Sequence, residues 1–219
     1  MKTFCAPLAI ACAMTASAVA AQPLAAGANL GTPGVGFQVT TQLSERLVLR
    51  GALDGMSLNR DEAYSDIAYD GKARLATVGL FADLHPGGGA FFLSGGAYAG
   101  KRELKLSATP TANVEVGAAT YTPAQVGRID GVAKLSNLQP FLGAGFDNTY
   151  SGDRAWGFRA LVGVSFGKAP KVSLTSTGGV LSSDPTLQAN LRAEEAQARE
   201  DAKDFKYFPV VQIGLTRRF

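Results

Sequence analysis

Cysteine is almost missing from this 219-residue chain: the two present, Cys5 and Cys12, both stand near its start. The rest of the chain therefore has neither disulfides nor thiolate metal sites available. Histidine is as scarce. With His85 alone, and with Glu194-Glu195 and Glu200-Asp201 reading as solvated charge, no metal site and no cofactor is expected. An excess of one charge is also missing. The count of 21 basic against 18 acidic residues, a net +3, is too balanced for a nucleic-acid binder. Beyond the first twenty-odd residues no run reaches the roughly eighteen apolar residues of a membrane-crossing helix. "GGG" at 87–89 has neither the strand-to-helix setting nor the lysine of a phosphate loop.

What is present begins with a leader. "MKTFCAPLAIACAMTASAVAAQ" carries Lys2, an alanine-rich apolar middle, and small residues at Ala18 and Ala20 or Val19 and Ala21. That layout predicts a cleaved secretory signal peptide over residues 1–21 and one mature domain over 22–219. Cys12 lacks the upstream leucine of a lipoprotein cysteine.

The mature part is written with period two, the pattern of strands with two unlike faces. Val35, Phe37 and Val39 oppose Gln38, Thr40 and Gln42; Leu47, Leu49 and Leu53 oppose Arg50, Ala52 and Asp54. Val78, Leu80 and Leu84 oppose Thr77, Gly79, Phe81 and Asp83, while Phe91, Leu93 and Ala97 oppose Ser94, Gly96 and Tyr98. Further on, Leu138, Leu142 and Phe146 oppose Gln139, Gly143 and Asp147. Trp156, Phe158 and Val162 oppose Arg159, Gly163 and Ser165, and Val211, Ile213 and Leu215 oppose Gln212, Gly214 and Thr216. This makes about seven strands of about ten residues. A single-chain bacterial barrel has an even number. The eighth falls either at 25–32, which the up-and-down count favours, or at 171–177.

The connections alternate as well. Residues 44–46, 85–89 and 148–153 read as short turns; 57–71, 102–136 and 168–205 read as long polar loops. Short turns at one rim and long loops at the other mark a transmembrane β-barrel. In the last loop, Asp184 before Pro185 reads as the N-cap of a helix running to about residue 205. Its sparse apolar residues suit a solvated helix resting on the barrel rim, or else a lid or partner-binding helix.

Alternation alone does not say which face is wet. The glycine-rich face also carries Arg50, Asp54, Asp83, Asp147, Arg159 and Arg218. The other face is Leu, Val, Ala and Phe, with Phe91, Phe146, Trp156, Phe158, Tyr207 and Phe219 near strand ends. Charges inside, oil outside and aromatics at both interfaces predict an all-β, closed, antiparallel transmembrane barrel of about eight strands. Lipid permits no unpaired sheet edge, so the barrel must close. Buried charges must pair, so the inward set reads either as an ion-pair plug or as the lining of a narrow polar passage for small solutes.

Leader, cysteine-free mature chain, alternating strands and terminal aromatic together resemble the small outer-membrane barrels of Gram-negative bacteria, of the OmpA-domain and OmpW-like kind. The resemblance implies a monomer in the cell outer membrane, in contact with its lipid. It also implies that the last strand is read by the barrel-assembly machinery; Val211, Ile213, Leu215 and Phe219 match that signal, and Arg217 departs from it. The resemblance bears on location and not on activity; the inward charges and the lone histidine read as a structural or interaction role, or a narrow passive pore, and not as an enzyme. Two alternatives stand beside it. One is a lipid-modifying enzyme, although His85 in "HPGGG" reads as turn punctuation on the short-turn rim. The other is a surface adhesin or receptor acting through the long loops.

Overall fold

The computed structural model describes residues 22–64 and 67–219; the expected leader at 1–21 lies outside the described residues. Twelve strands and two helices follow one another. They are β1 (Leu24–Gly31), β2 (Gly34–Ser44), β3 (Leu47–Tyr64), β4 (Ile67–Leu84), β5 (Phe91–Pro110), β6 (Val114–Val116), β7 (Ala119–Tyr121), α1 (Pro123–Val126), β8 (Gly127–Lys134), β9 (Leu138–Asp147), β10 (Trp156–Phe166), β11 (Lys171–Gly178), α2 (Pro185–Asp201) and β12 (Tyr207–Arg218).

Eight of these close a ring: β1-β2-β3-β4-β5-β9-β10-β12 and back to β1, every neighbour antiparallel. The eighth strand is the N-terminal one, β1, in register from Ala25 opposite Arg218 to Gly31 opposite Gln212. The other candidate, 171–177, is also a strand, but it lies outside the ring.

The three expected long loops are corrected. Residues 57–71 continue the β3–β4 hairpin beyond the barrel, paired from Ser57 opposite Arg74 up to Tyr64 opposite Ile67; residues 65–66 lie outside the described residues. Residues 102–136 hold the outer half of β5, the β6–β7 hairpin, α1 and β8. Residues 168–205 hold β11 and α2. Their charge density reads as loop, although Leu104 and Leu106 alternate about Lys105 and Val172 and Leu174 about Ser173, and their backbones pair in β3–β4, β5–β8 and β8–β11.

Strand β5 builds both parts. Its first half pairs with β9 (Phe91 opposite Phe146, through Ala99 opposite Leu138), and its second half pairs with β8 (Glu103 opposite Lys134, through Ala108 opposite Ile129). The change of partner falls at Gly100, whose φ of 148° suits glycine and whose N–H turns to the Asn137 carbonyl at 2.8 Å. Strand β11 then pairs with β8, giving a sheet extension that stands off one rim of the barrel.

That extension ends in an open edge, and α2 covers it. The Leu174 N–H donates to Glu195 Oε1 at 2.7 Å, and the Val172 carbonyl accepts from Arg199 Nη2 at 3.0 Å. An uncovered edge is a template for aggregation, so the helix has a structural task. Its N-cap is the expected one, Asp184, which accepts from the N–H groups of Thr186 (2.8 Å) and Leu187 (3.2 Å). Leu187 and Leu191 are buried with Val116, Tyr121 and Val126. The helix therefore rests on the extension, not on the barrel rim.

The barrel is inverted relative to a soluble protein. Val35, Phe37, Leu53, Leu80, Leu138, Leu142, Trp156, Val162, Ile213 and Leu215 are exposed on its outside. Gln38, Thr40, Arg50, Asp83, Ser94, Gln139, Asp147, Arg159, Gln212 and Thr216 are buried within it. Arg217, which departs from the expected terminal pattern, lies on the outer face between two rings, 6.0 Å from Trp156 and 5.5 Å from Phe219.

Candidate functional site

The lumen is filled in three layers, and period two explains what fills each. Toward the short-turn rim lies an ion-pair cluster. Asp83 Oδ2 accepts from Arg50 Nε at 3.0 Å and from Arg159 Nη2 at 2.8 Å, and Arg159 Nη1 reaches Asp147 Oδ2 at 2.5 Å. Arg50 also donates to Ser94 Oγ at 3.3 Å. Asp147 holds the next turn by accepting from the Thr149 N–H at 2.8 Å, and Thr149 and Thr216 hydroxyls meet at 2.6 Å. From that same turn Tyr150 reaches back into the mouth and donates to the Thr40 carbonyl at 2.8 Å.

Above the ions lies an aromatic layer. Phe81, Tyr98 and Phe141 meet edge to face with ring centroids 4.8 to 5.6 Å apart, and Phe92, Leu161, Val210 and Ala52 complete the layer. Edge-to-face is the contact an aromatic quadrupole favours. The two layers are bonded together: the Arg50 guanidinium lies 4.0 Å over Phe81, and that of Arg159 lies 4.0 Å over Phe92.

Glycine makes the room for these rings. A Cβ on Gly79 would fall 2.3 Å from the Phe81 ring, and one on Gly143 would fall 2.6 Å from Phe141. Lumen-side glycine therefore belongs to the packing. Each ring lies back along its own strand over the glycine two residues away, where any larger residue would displace it.

Toward the other rim lies a second polar layer. Asp54 Oδ1 accepts from Asn29 Nδ2 at 2.6 Å and from Gln212 Nε2 at 3.1 Å. Arg102 donates to Gln139, whose carbonyl oxygen also accepts from Ser165 at 3.1 Å. Asp54 Oδ2, Tyr98 OH and Arg102 Nη2 are buried without a protein partner. Three buried arginines, 50, 102 and 159, thus face three buried aspartates, 54, 83 and 147.

The expected inward charges divide accordingly. Arg50, Asp83, Asp147 and Arg159 are in one network. Asp54 is inside but belongs to the amide layer. Arg218 is half-buried at the short-turn rim and forms no ion pair among the described residues. Arg102 was hidden in a segment read as loop, although it stands four residues after Tyr98 on the same face of β5. Its partner Gln139 was on the polar face from the start, but nothing in its spacing pairs it with an arginine.

His85 sits in the short turn, with Nδ1 2.8 Å from the Gly89 carbonyl and its ring 5.6 Å from Phe92. Among the described residues there is no cluster of three or more His, Cys, Asp or Glu side chains that could hold a metal. Among the described residues no helix is long and apolar enough to cross a membrane, which says nothing about crossing by strands.

Ring closure, an apolar outside and a charged, aromatic inside define the class as a closed, antiparallel, eight-stranded β-barrel with an inverted surface. Among solved structures the chain is similar to CarO2 of Acinetobacter baumannii, with a TM-score of 0.60, 20% identity, and cover of 90% of this chain and 98% of that one. It is similar also to CarO of the same organism, with a TM-score of 0.59, 22% identity and the same cover. At these identities the likeness bears on the fold. No protein-family model matches the sequence, and no curated protein matches it.

Proposed function

We propose that this chain is an outer-membrane β-barrel protein, closed at rest, with a structural or interaction role carried by the sheet extension on its outer rim. The observation that carries this reading is the filled lumen inside an apolar shell. Exposed Phe37, Leu80, Leu142, Trp156 and Leu215 suit hydrocarbon and its interfaces. The Arg–Asp network and the aromatic layer occupy the space a solute would cross. By this reading the short turns face the periplasm and the extension stands outside the cell. The leader at 1–21 directs export, and the architecture is that of the small OmpA-domain and OmpW-like barrels. Val211, Ile213, Leu215 and Phe219 then serve as the strand signal for the assembly machinery.

A second reading, a narrow passive pore, is favoured by one observation. Asp54 Oδ2, Tyr98 OH and Arg102 Nη2 are polar atoms without protein partners, and such groups call for water or a polar solute. The test of location is fractionation of expressing cells together with gel migration before and after boiling. A protein in the outer-membrane fraction that migrates faster unboiled is expected. A soluble protein whose migration is unaffected by heat would overturn the proposal.

A further inference from the structure

The strands break between β8 and β9, over 135–137, and between β10 and β11, over 167–170; the Lys168 N–H donates to Ser136 Oγ at 2.6 Å, so both breaks lie at one level, where the extension leaves the barrel. The break opens a groove of about 700 Å³ on the outer face, lined by Lys134, Ser136, Leu138, Phe166, Lys168 and Lys171 among others. Its lower wall is apolar and continues the hydrocarbon-type belt, with Leu138 63% exposed and Phe166 beside Tyr207. Its upper wall is cationic. Lys134 and Lys171 stand directly opposite each other in register, an arrangement that costs stability unless an anion lies between or beside them. No carboxylate pairs with Lys134, Lys168 or Lys171 among the described residues. Glu103, the carboxylate in register with Lys134, is bonded to Lys105 at 2.9 Å.

From this geometry we infer that the groove binds a phosphorylated glycolipid of the outer leaflet (lipid A). Its phosphates lie on Lys134, Lys168 and Lys171, and its acyl chains lie along Leu138, Pro140 and Phe166. Charge and continuity argue for this occupant. A soluble anion would use the lysines alone, and a zwitterionic lipid would use the apolar wall alone. Only a phosphate joined to acyl chains uses both walls. The choice of lipid A over an anionic glycerophospholipid rests on the three lysines, which suit two phosphates better than one, and on the orientation proposed above, which puts this rim in the outer leaflet.

The test is native mass spectrometry of the whole barrel in detergent, mixed in turn with diphosphoryl lipid A, the same lipid dephosphorylated, phosphatidylglycerol and phosphatidylethanolamine. Retention of diphosphoryl lipid A is expected, weakened about tenfold or more by dephosphorylation and by K134Q/K168Q/K171Q. Retention should be unchanged by R46Q/R154Q at the opposite rim. Equal retention of the dephosphorylated lipid, of phosphatidylethanolamine or of phosphatidylglycerol would overturn the inference. So would a folded triple variant that binds like the parent. The dephosphorylation arm uses the unaltered protein and so does not depend on the variant folding. A barrel that fractionates with the outer membrane yet discriminates among none of these lipids defeats this inference and leaves the location standing.

Discussion

Arg159 and Asp83, 76 residues apart in sequence, meet at 2.8 Å across the inside of the barrel. Their contact ties β10 to β4, strands that are not neighbours in the ring. Strand pairing closes the wall; this pair and its partners Arg50 and Asp147 fix what the wall encloses.

Asp83 accepts from two guanidinium groups through one oxygen, so its loss leaves buried Arg50 with no carboxylate and Arg159 with Asp147 alone. Asp83→Ala should lower stability by about 3–5 kcal/mol, the scale of a broken buried pair. Urea unfolding in lipid vesicles measures it. Asp147→Ala, which leaves Arg159 one aspartate, should cost less.

The glycine–ring packing predicts a coupling. Gly79→Ala puts a methyl group against the Phe81 ring alone, with Tyr98 at 3.4 Å and no backbone in the way. It should destabilise by roughly 1–3 kcal/mol. In a Phe81→Leu background the added cost of G79A should shrink. Additive costs in the double variant would show that the ring does not depend on the glycine.

Much of the barrel was legible because an apolar outside and a packed lumen impose opposite demands on alternate residues. Val211, Ile213 and Leu215 could only face one way once Gln212 and Thr216 faced the other. The extension was not legible for the converse reason. Lys72, Lys105 and Arg128 are exposed, and the short alternations among such charges, as of Leu104 and Leu106 about Lys105, do not stand out as barrel strands. The charged residues were assigned to the right side, but their partners were not. Arg159 choosing Asp83 and Asp147, and Asp54 choosing Asn29 and Gln212, depend on strand register around the ring, which the sequence does not print. Helix α2 was found through its Asp184–Pro185 start. Its role in covering the β11 edge depends on Glu195 and Arg199 facing Leu174 and Val172, which only the fold brings together.

That edge gives a third expectation. Glu195→Ala with Arg199→Ala removes both side chains that occupy the free backbone groups of β11. Residues 171–178 and α2 should lose hydrogen-exchange protection, while the boiled and unboiled forms still migrate differently. Asp184→Ala should act in the same direction through its lost cap, at a cost of about 1 kcal/mol.

Asp130, in β8 of the extension, supplies a pH dependence. Burial raises its carboxyl, but bonds from Ser107, Arg128 and Thr177 outweigh that and hold it below its ordinary 3.8. A depressed carboxyl contributes stability that is present above the unfolded-state value and is lost as pH falls through the folded-state one. Protection of β8 and β11 amides, corrected for intrinsic exchange, should therefore decline below that ordinary value. Asp130→Asn should remove the decline.

If the final strand is read during assembly, Phe219→Ala should slow insertion while leaving export intact. The variant should accumulate as a periplasmic, heat-insensitive species in pulse-chase fractionation. Normal insertion kinetics would count against that reading.

On the proposed reading an ion-pair network bonded to an aromatic layer closes the lumen. Planar-bilayer recording of the purified protein tests it most directly. No steady conductance is expected from the parent chain, and measurable openings are expected from Phe81→Ala combined with Phe141→Ala, which removes the middle of the layer. Steady, voltage-stable channels from the unaltered protein would contradict it.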